Sequence, residues 1–358
     1  MTTEYKALDE STASDVRELV EARFGKSALS ILGQILRNPL RKLNSDAGAV
    51  GYRDGRAVCM QAEMLRRLYV GREAIFGLVG GMTCKTQKGC PLRVLLETID
   101  RAAVPKNGSV MAFGNRCVES TAKLSAETGG AVGPESCTRY LWRAVRPFDC
   151  LCYFLRRKVL KLDMPDWKPF STRGILGFSL QMNGLEIRCV PQIDTRLFDG
   201  MMERYLLGNR GVVCSRSADE LNWIFGERVQ RGEIVVLGAF RDGELMGYLM
   251  MDGRKEARRW EIKDWIAVNN DLRVLEALLK SACLFLKRLT PAMMLEVIGF
   301  EQRVQPILKR YLPHERGMGH NTFSWNAVNE TWRTRLNEKL TSEEGWFYGP
   351  YDGDWCMC

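Results

Sequence analysis

The sequence predicts an α+β protein built as two tandem domains, each a mixed, mostly antiparallel sheet flanked by helices. Three observations carry that reading. The phrase "GYRDGRAVC" at 51–59 returns as "GAFRDGELMGY" at 238–248, which sets Arg53 and Arg241 188 positions apart. The same order of apolar runs follows each phrase. A chain of 358 residues is also too long for one small core and suits two domains of ordinary size.

Asp-Gly between two alternating apolar runs is a hairpin signal, because glycine accepts the positive φ that a tight turn demands. "GAVGYRDGRAVCMQAEML" and "IVVLGAFRDGELMGYLMM" are therefore predicted as strand pairs. Each half then offers a further strand, "AIFGLVGGMTC" (74–84) and "WEIKDWIAV" (260–268). Amphipathic helices follow over 91–103 and 272–289, with leucines at helical spacing and Pro91 suited to a first turn. The strands "GSVMAFG" (108–114) and "AMMLEVIGF" (292–300) come next, leading to the helices "NRCVESTAKLSAET" and "EQRVQPILKRY". Helical sequence also precedes each hairpin: "SDVRELVEARFG" and "LSILGQILRN" in the first half, "SADELNWIFGERV" in the second. Ser217 with Glu220 three residues on has the form of a capping box. Domains are expected over 1–150 and 196–358, joined by a connection at 151–195 that holds "LDMPDWKPFSTRG".

Composition narrows the function. Apolar residues at 46% and charged ones at 27% describe a globular chain. "DCLCYFLRRKVLKL" is broken by Arg156, Arg157 and Lys158 and cannot span a bilayer. The N-terminus is acidic, without the apolar run of a secretory signal, so a cytoplasmic protein with no membrane partner is expected. Twelve cysteines are present, but no C-x-x-C pair and only two histidines, His314 and His320. That pattern argues for reduced core thiols and no metal site. A net charge of +9 admits nucleic acid, a phosphorylated ligand or a solvated basic surface. The cations are dispersed and no nucleic-acid motif appears, which argues against the first.

A loop of free N–H groups feeding a helix N-terminus is an anion cradle. "GGMTCKTQKGCPLRVLLETI" offers one, with Lys85 and Lys88 adding charge and Gly89 allowing close backbone approach. Taken with the order of elements, the chain resembles the GCN5-related N-acetyltransferase superfamily in a tandem two-domain form. The resemblance implies that the first half holds acetyl-coenzyme A along Val79, Gly80, Met82, Cys84 and Lys85. The loop Thr86, Gln87, Lys88, Gly89, Cys90, Pro91 and Leu92, together with Asn115, would complete the site. It also aligns Leu124 and Gly129 with a helix motif whose tyrosine protonates the leaving thiolate, and here Ser125 stands in that place. Glu63 and Glu73 are the carboxylates offered as general base. "AVNNDLRVLEALL" has no glycine loop, so the second half is expected to bind no coenzyme and to shape the acceptor site, while Tyr311 packs. The ending "WFYGPYDGDWCMC" is expected to pack as a last strand or to line the cleft between halves. The function so implied is acyl transfer to an amine or hydroxyl of a small molecule or peptide. An inactive descendant that keeps the fold as a binding or regulatory protein is the alternative.

Overall fold

The computed structural model describes residues 2–26, 28–42, 46–86, 90–103, 109–117, 131–132, 139–162, 177–254, 258–316, 322–340, 345–347 and 349–352. Both Arg-Asp-Gly phrases turn as expected. Asp54 and Gly55 have φ of 49° and 77°, Asp242 and Gly243 φ of 52° and 82°, the paired left-handed residues of a type I′ hairpin.

Two sheets form. The first runs, edge to edge, β1 (Thr3–Ala7), β2 (Gly48–Arg53), β3 (Arg56–Val70), β4 (Glu73–Lys85), β5 (Ser109–Cys117), β16 (Thr322–Ala327) and β6 (Ala131–Val132). Two short strands extend it: β10 (Val212–Cys214) pairs with the end of β3, and β17 (Trp346–Phe347) with β10. The second sheet runs β15 (His314–Arg316), β7 (Tyr140–Ala144), β14 (Met294–Ile298), β13 (Arg259–Ala267), β12 (Glu244–Arg254), β11 (Ile234–Arg241), β9 (Leu185–Cys189) and β8 (Ser179–Met182). In the main run of each, one parallel pair, β4 with β5 and β13 with β14, interrupts antiparallel neighbours; the added pair β10 with β17 is parallel too.

Strand membership crosses the expected 151–195 connection in both directions. β7, from the first half, lies between β14 and β15 of the second sheet. In return β16 leaves the second half to lie between β5 and β6. The stretch expected to be a plain connection itself supplies β8 and β9, whose turn at Asn183–Gly184 repeats the left-handed pair with φ of 52° and 74°. A second echo accompanies the exchange: "WRAV" at 142–145 and "WNAV" at 325–328 stand at the ends of the two exchanged strands.

One continuous apolar cluster runs from Leu8 to Tyr351 and draws on both sheets. The halves are also stitched by polar contacts. Gln34 Nε2 donates to the carbonyls of Trp223 and Ile224 at 2.6 and 2.8 Å, and Trp223 Nε1 returns a bond to Gln34 O at 2.7 Å. Helices form at Leu92–Ala103 and Leu272–Leu289 as predicted. Ser217 caps its helix by accepting from Glu220 N at 3.4 Å. The Glu220 side chain does not close the predicted box; it is buried with its Oε2 3.7 Å from Arg66 Nε. Asn115 to Cys117, expected to open a helix, continue β5, because Cys117 pairs with Thr322 of β16. The rest of that helix, with Ser125, Leu124 and Gly129, lies outside the described residues.

Candidate functional site

The site is made by two strands parting. β4 and β5 pair from Phe76 with Ser109 to Val79 with Phe113, and the ladder stops there. Beyond that point β5 pairs with β16, while β4 runs on to Lys85 against β3 alone. Among the described residues, the Gly80–Lys85 edge that faces away from β3 therefore has no strand beside it. Six residues of extended chain offer roughly 20 Å of main-chain donors and acceptors. Such an edge accepts an extended ligand that carries amides, as in strand addition.

Where the strands part, β4 carries a bulge. Gln61 faces Thr83 and Glu63 faces Gly80, so β4 has one residue more than β3 in this interval. Bulges re-aim backbone groups and steepen the local twist. Gly81 fits because a Cβ there would stand 3.0 Å from Ala62 O, whereas Gly80 is open, its nearest neighbour being Glu63 Oε2 at 4.0 Å.

Glu63 is one of the two carboxylates offered from the sequence as general base, and the fold buries it to 9% exposure. Gln61 Nε2 donates to Glu63 Oε1 at 2.9 Å, and Thr83 Oγ1 donates in turn to Gln61 Oε1. Burial pushes the Glu63 carboxyl up to about 8, against a smaller lowering by the Gln61 hydrogen bond. A carboxyl held at such a value takes up and gives up a proton near neutral pH, which general acid–base chemistry needs. Gln61 and Thr83 were not singled out from the sequence. Their signal is alternation: Gln61 and Glu63 fall on one face of β3, with Met60, Ala62 and Met64 on the other.

Glu73 opens β4 at the end remote from the bulge, where it is exposed and ion-paired with Arg335, and its carboxyl is lowered by that bond. The fold does not bring it to the parted strands. Val79, Gly80, Met82, Cys84 and Lys85 lie along the β4 edge. Thr86 N donates to Val58 O at 2.9 Å, which ties the start of the loop to β3. Gln87, Lys88 and Gly89 lie outside the described residues. Cys90 packs with Cys59 and Val94, and burial raises its thiol to about 11 and that of Cys84 to about 12. Both thiols stay protonated near neutrality and serve as packing. Pro91 O accepts from Val94 N at 3.0 Å and starts the 92–103 helix, where Leu92 is exposed. Asn115 sits on β5 past the parting point.

The second half repeats the parting and then fills it. β13 and β14 pair from Arg259 to Ile262, and β13 continues to Ala267 paired with β12. Residues 349–352 pack into this place: Gly349 approaches Asp264 and Trp265, and Arg216 Nη2 joins Asp264 Oδ1 at 3.0 Å to Asp352 Oδ2 at 2.9 Å. Tyr248 OH donates to Asp264 at 2.5 Å, and Tyr351 OH donates to Ser215 O at 2.8 Å. The anion cradle is closed as well. Asp271 caps the following helix by accepting from Arg273 N at 2.9 Å, and its carboxylate pairs with the Arg273 side chain. A fixed carboxylate on those N–H groups repels a phosphate from the only end of the helix that would attract one. Of the ending read from the sequence, Trp346–Phe347 is a strand, Tyr351 and Asp352 are buried, and 353–358 lie outside the described residues.

This architecture is similar over most of its length to that of known proteins. A GCN5-related N-acetyltransferase from Anabaena variabilis superposes with a TM-score of 0.55 at 10% identity, covering 95% of this chain and 75% of that one. The chain has a tandem GCN5-related N-acetyltransferase fold. A second such protein, from Kribbella flavida, gives 0.58 at 8% identity over 95% and 74% of the two chains. Saccharomyces cerevisiae N-myristoyltransferase with bound myristoyl-CoA gives 0.56 at 15% identity over 92% and 80%. No family model and no curated protein sequence matches the chain. Among the described residues, no helix is long and apolar enough to cross a membrane.

Proposed function

We propose that the protein is an acyl-coenzyme A-dependent acyltransferase whose donor site is the parted β4–β5 edge of the first half. The observation that carries this reading is the end of the β4–β5 ladder at Val79 and Phe113, in a fold shared with proteins of that activity. The residues present suit such a donor. The Gly80–Lys85 edge would hold its amide-bearing arm, and Lys85 with the loop into the 92–103 helix would hold its phosphates. When bound, acetyl-coenzyme A would supply an activated thioester.

Glu63 would take the proton from an acceptor amine or hydroxyl as the nucleophile becomes bonded to the acyl carbon, and the thioester C–S bond would then break, with the coenzyme A thiol leaving as it takes up a proton. Its elevated proton affinity matches that task near neutral pH. N–H groups re-aimed by the Gly80–Thr83 bulge would stabilise the oxyanion that develops at the carbonyl. Positioning of donor and acceptor supplies much of the remaining barrier reduction. The acceptor would enter from the second half, whose own cradle is closed by Asp271 and whose strand gap is filled by 349–352.

The test is an assay of thiol release from acetyl-coenzyme A and longer acyl homologues against a panel of amines, hydroxyl compounds and peptides bearing a free N-terminus. Acceptor-dependent release that Glu63→Gln lowers by about 100-fold, in keeping with the worth of general base catalysis, supports the reading. Saturable donor binding without turnover on any acceptor would favour the inactive-descendant alternative.

A further inference from the structure

The helix Pro147–Phe154 and the π-turn Leu155–Val159 that continues it contain no buried residue. Several of their large side chains are apolar all the same. Phe148 is 75% exposed and Val159 60%, and Leu151, Phe154, Leu160 and Leu162 are exposed with them. Monomer surfaces seldom carry a contiguous apolar patch of this kind without a binding role. Among the described residues, the segment is tied to the body near its start. Cys150 Sγ donates to Met293 O at 3.1 Å, and Arg146 Nη2 donates to Thr290 O at 2.8 Å.

Charge identifies the occupant. Residues 146–162 hold five cations, Arg146, Arg156, Arg157, Lys158 and Lys161, against the single carboxylate of Asp149. At the base of the projection the 272–289 helix ends in exposed Lys287, Arg288 and Leu289. We infer that this projecting segment is a docking surface for an anionic lipid bilayer, lying in the headgroup plane with Phe148, Leu151 and Phe154 among the acyl chains. The cations that prevent the stretch from spanning a membrane are those that a surface-lying helix uses, and aromatic with aliphatic side chains beside clustered Arg and Lys form the interfacial pattern. A soluble acidic protein would satisfy the charge but not the exposed apolar side chains beside it. This inference is independent of the donor site.

Flotation of the full chain with vesicles of phosphatidylcholine containing 30% phosphatidylserine tests it, with pure phosphatidylcholine in parallel. The expected result is partition onto the anionic vesicles alone, weakened by salt. Arg156→Glu with Arg157→Glu should lower partition by about 30-fold or more, since each cation at such a surface is worth about a factor of five. Phe148→Ser with Phe154→Ser should lower it comparably, and both variants should keep the parent melting temperature because none of the four side chains is buried. Absence of flotation with the anionic vesicles would overturn the inference. So would self-association in sedimentation velocity that the Phe148→Ser, Phe154→Ser variant abolishes while flotation persists.

Discussion

Replacing Glu63 by Gln keeps the shape of the side chain and removes its titration, and the pH dependence of stability then reports the environment of that carboxyl. In the folded chain Glu63 holds its proton up to about pH 8, whereas an unfolded glutamate loses it near 4.3. Between those values folding takes up a proton. Rising pH therefore opposes folding, and the stability contributed by the protonated carboxyl, fully present below about pH 4, is lost as pH rises through 8. Integrating the linkage relation gives a loss of about 4 kcal/mol between pH 5 and pH 9. At roughly 0.75 kcal/mol per kelvin for a chain of this size, this corresponds to about 5 °C in melting temperature. Asp264 and Glu301 are also raised by burial, to about 6 and 7, and they tilt the profile in the same direction. The informative quantity is consequently the difference between parent and variant. Thermal melts across pH 5–9 should show Glu63→Gln gaining on the parent by about 5 °C over that span. Parallel profiles would refute the burial argument and, with it, the assignment of Glu63 as a base tuned to neutral pH.

Other consequences follow from the same structure. Turnover in Glu63-dependent acyl transfer should rise with pH along a limb centred near 8, measured as kcat/KM against pH, and the limb should vanish in Glu63→Gln. Arg216→Met leaves Asp264 and Asp352 buried without their shared cation, and it should cost about 3–5 kcal/mol by denaturant unfolding, with the larger loss at pH 8 than at pH 5. Trp325, buried in β16, belongs by sequence to one half and by pairing to the other sheet; Trp325→Ala should cost about 3–5 kcal/mol. Because the strands are exchanged, calorimetry of that variant should still show one transition and not two.

Much of the fold was legible locally. Asp-Gly turns, helical leucine spacing and the Ser217 cap are short-range signals, and each is read from fewer than twenty residues. What escaped is long-range. No local pattern says that the strand ending in Ala144 pairs with Met294, or that the strand ending in Ala327 pairs with Met111, although the repeated Trp-x-Ala-Val hinted at equivalent roles. The site divides in the same way. The β4 edge and the 92–103 helix were found from a glycine-bearing strand and a proline. Glu63 was named from the sequence as a candidate base, but its burial was not legible, because exposure depends on β4 covering β3, a pairing that also brings Thr83 and Gln61 into one hydrogen-bonded chain. The closure of the second half by Asp271 and residues 349–352 depends likewise on the C-terminal stretch returning across some 80 residues to β13.

The central claim is that the opening beyond Val79 and Phe113 is the donor site, and Gly80 tests it most directly. A Cβ at Gly80 meets nothing closer than Glu63 Oε2 at 4.0 Å, so Gly80→Val is expected to fold normally while placing a branched side chain at the start of the unpaired edge. Titration of acetyl-coenzyme A by calorimetry should show saturable binding to the parent, weakened at least tenfold by Gly80→Val and by Lys88→Ala, with the melting temperature of each apo variant unchanged. Equal affinity in the parent and in Gly80→Val, or no binding to the parent at millimolar donor, would contradict the account.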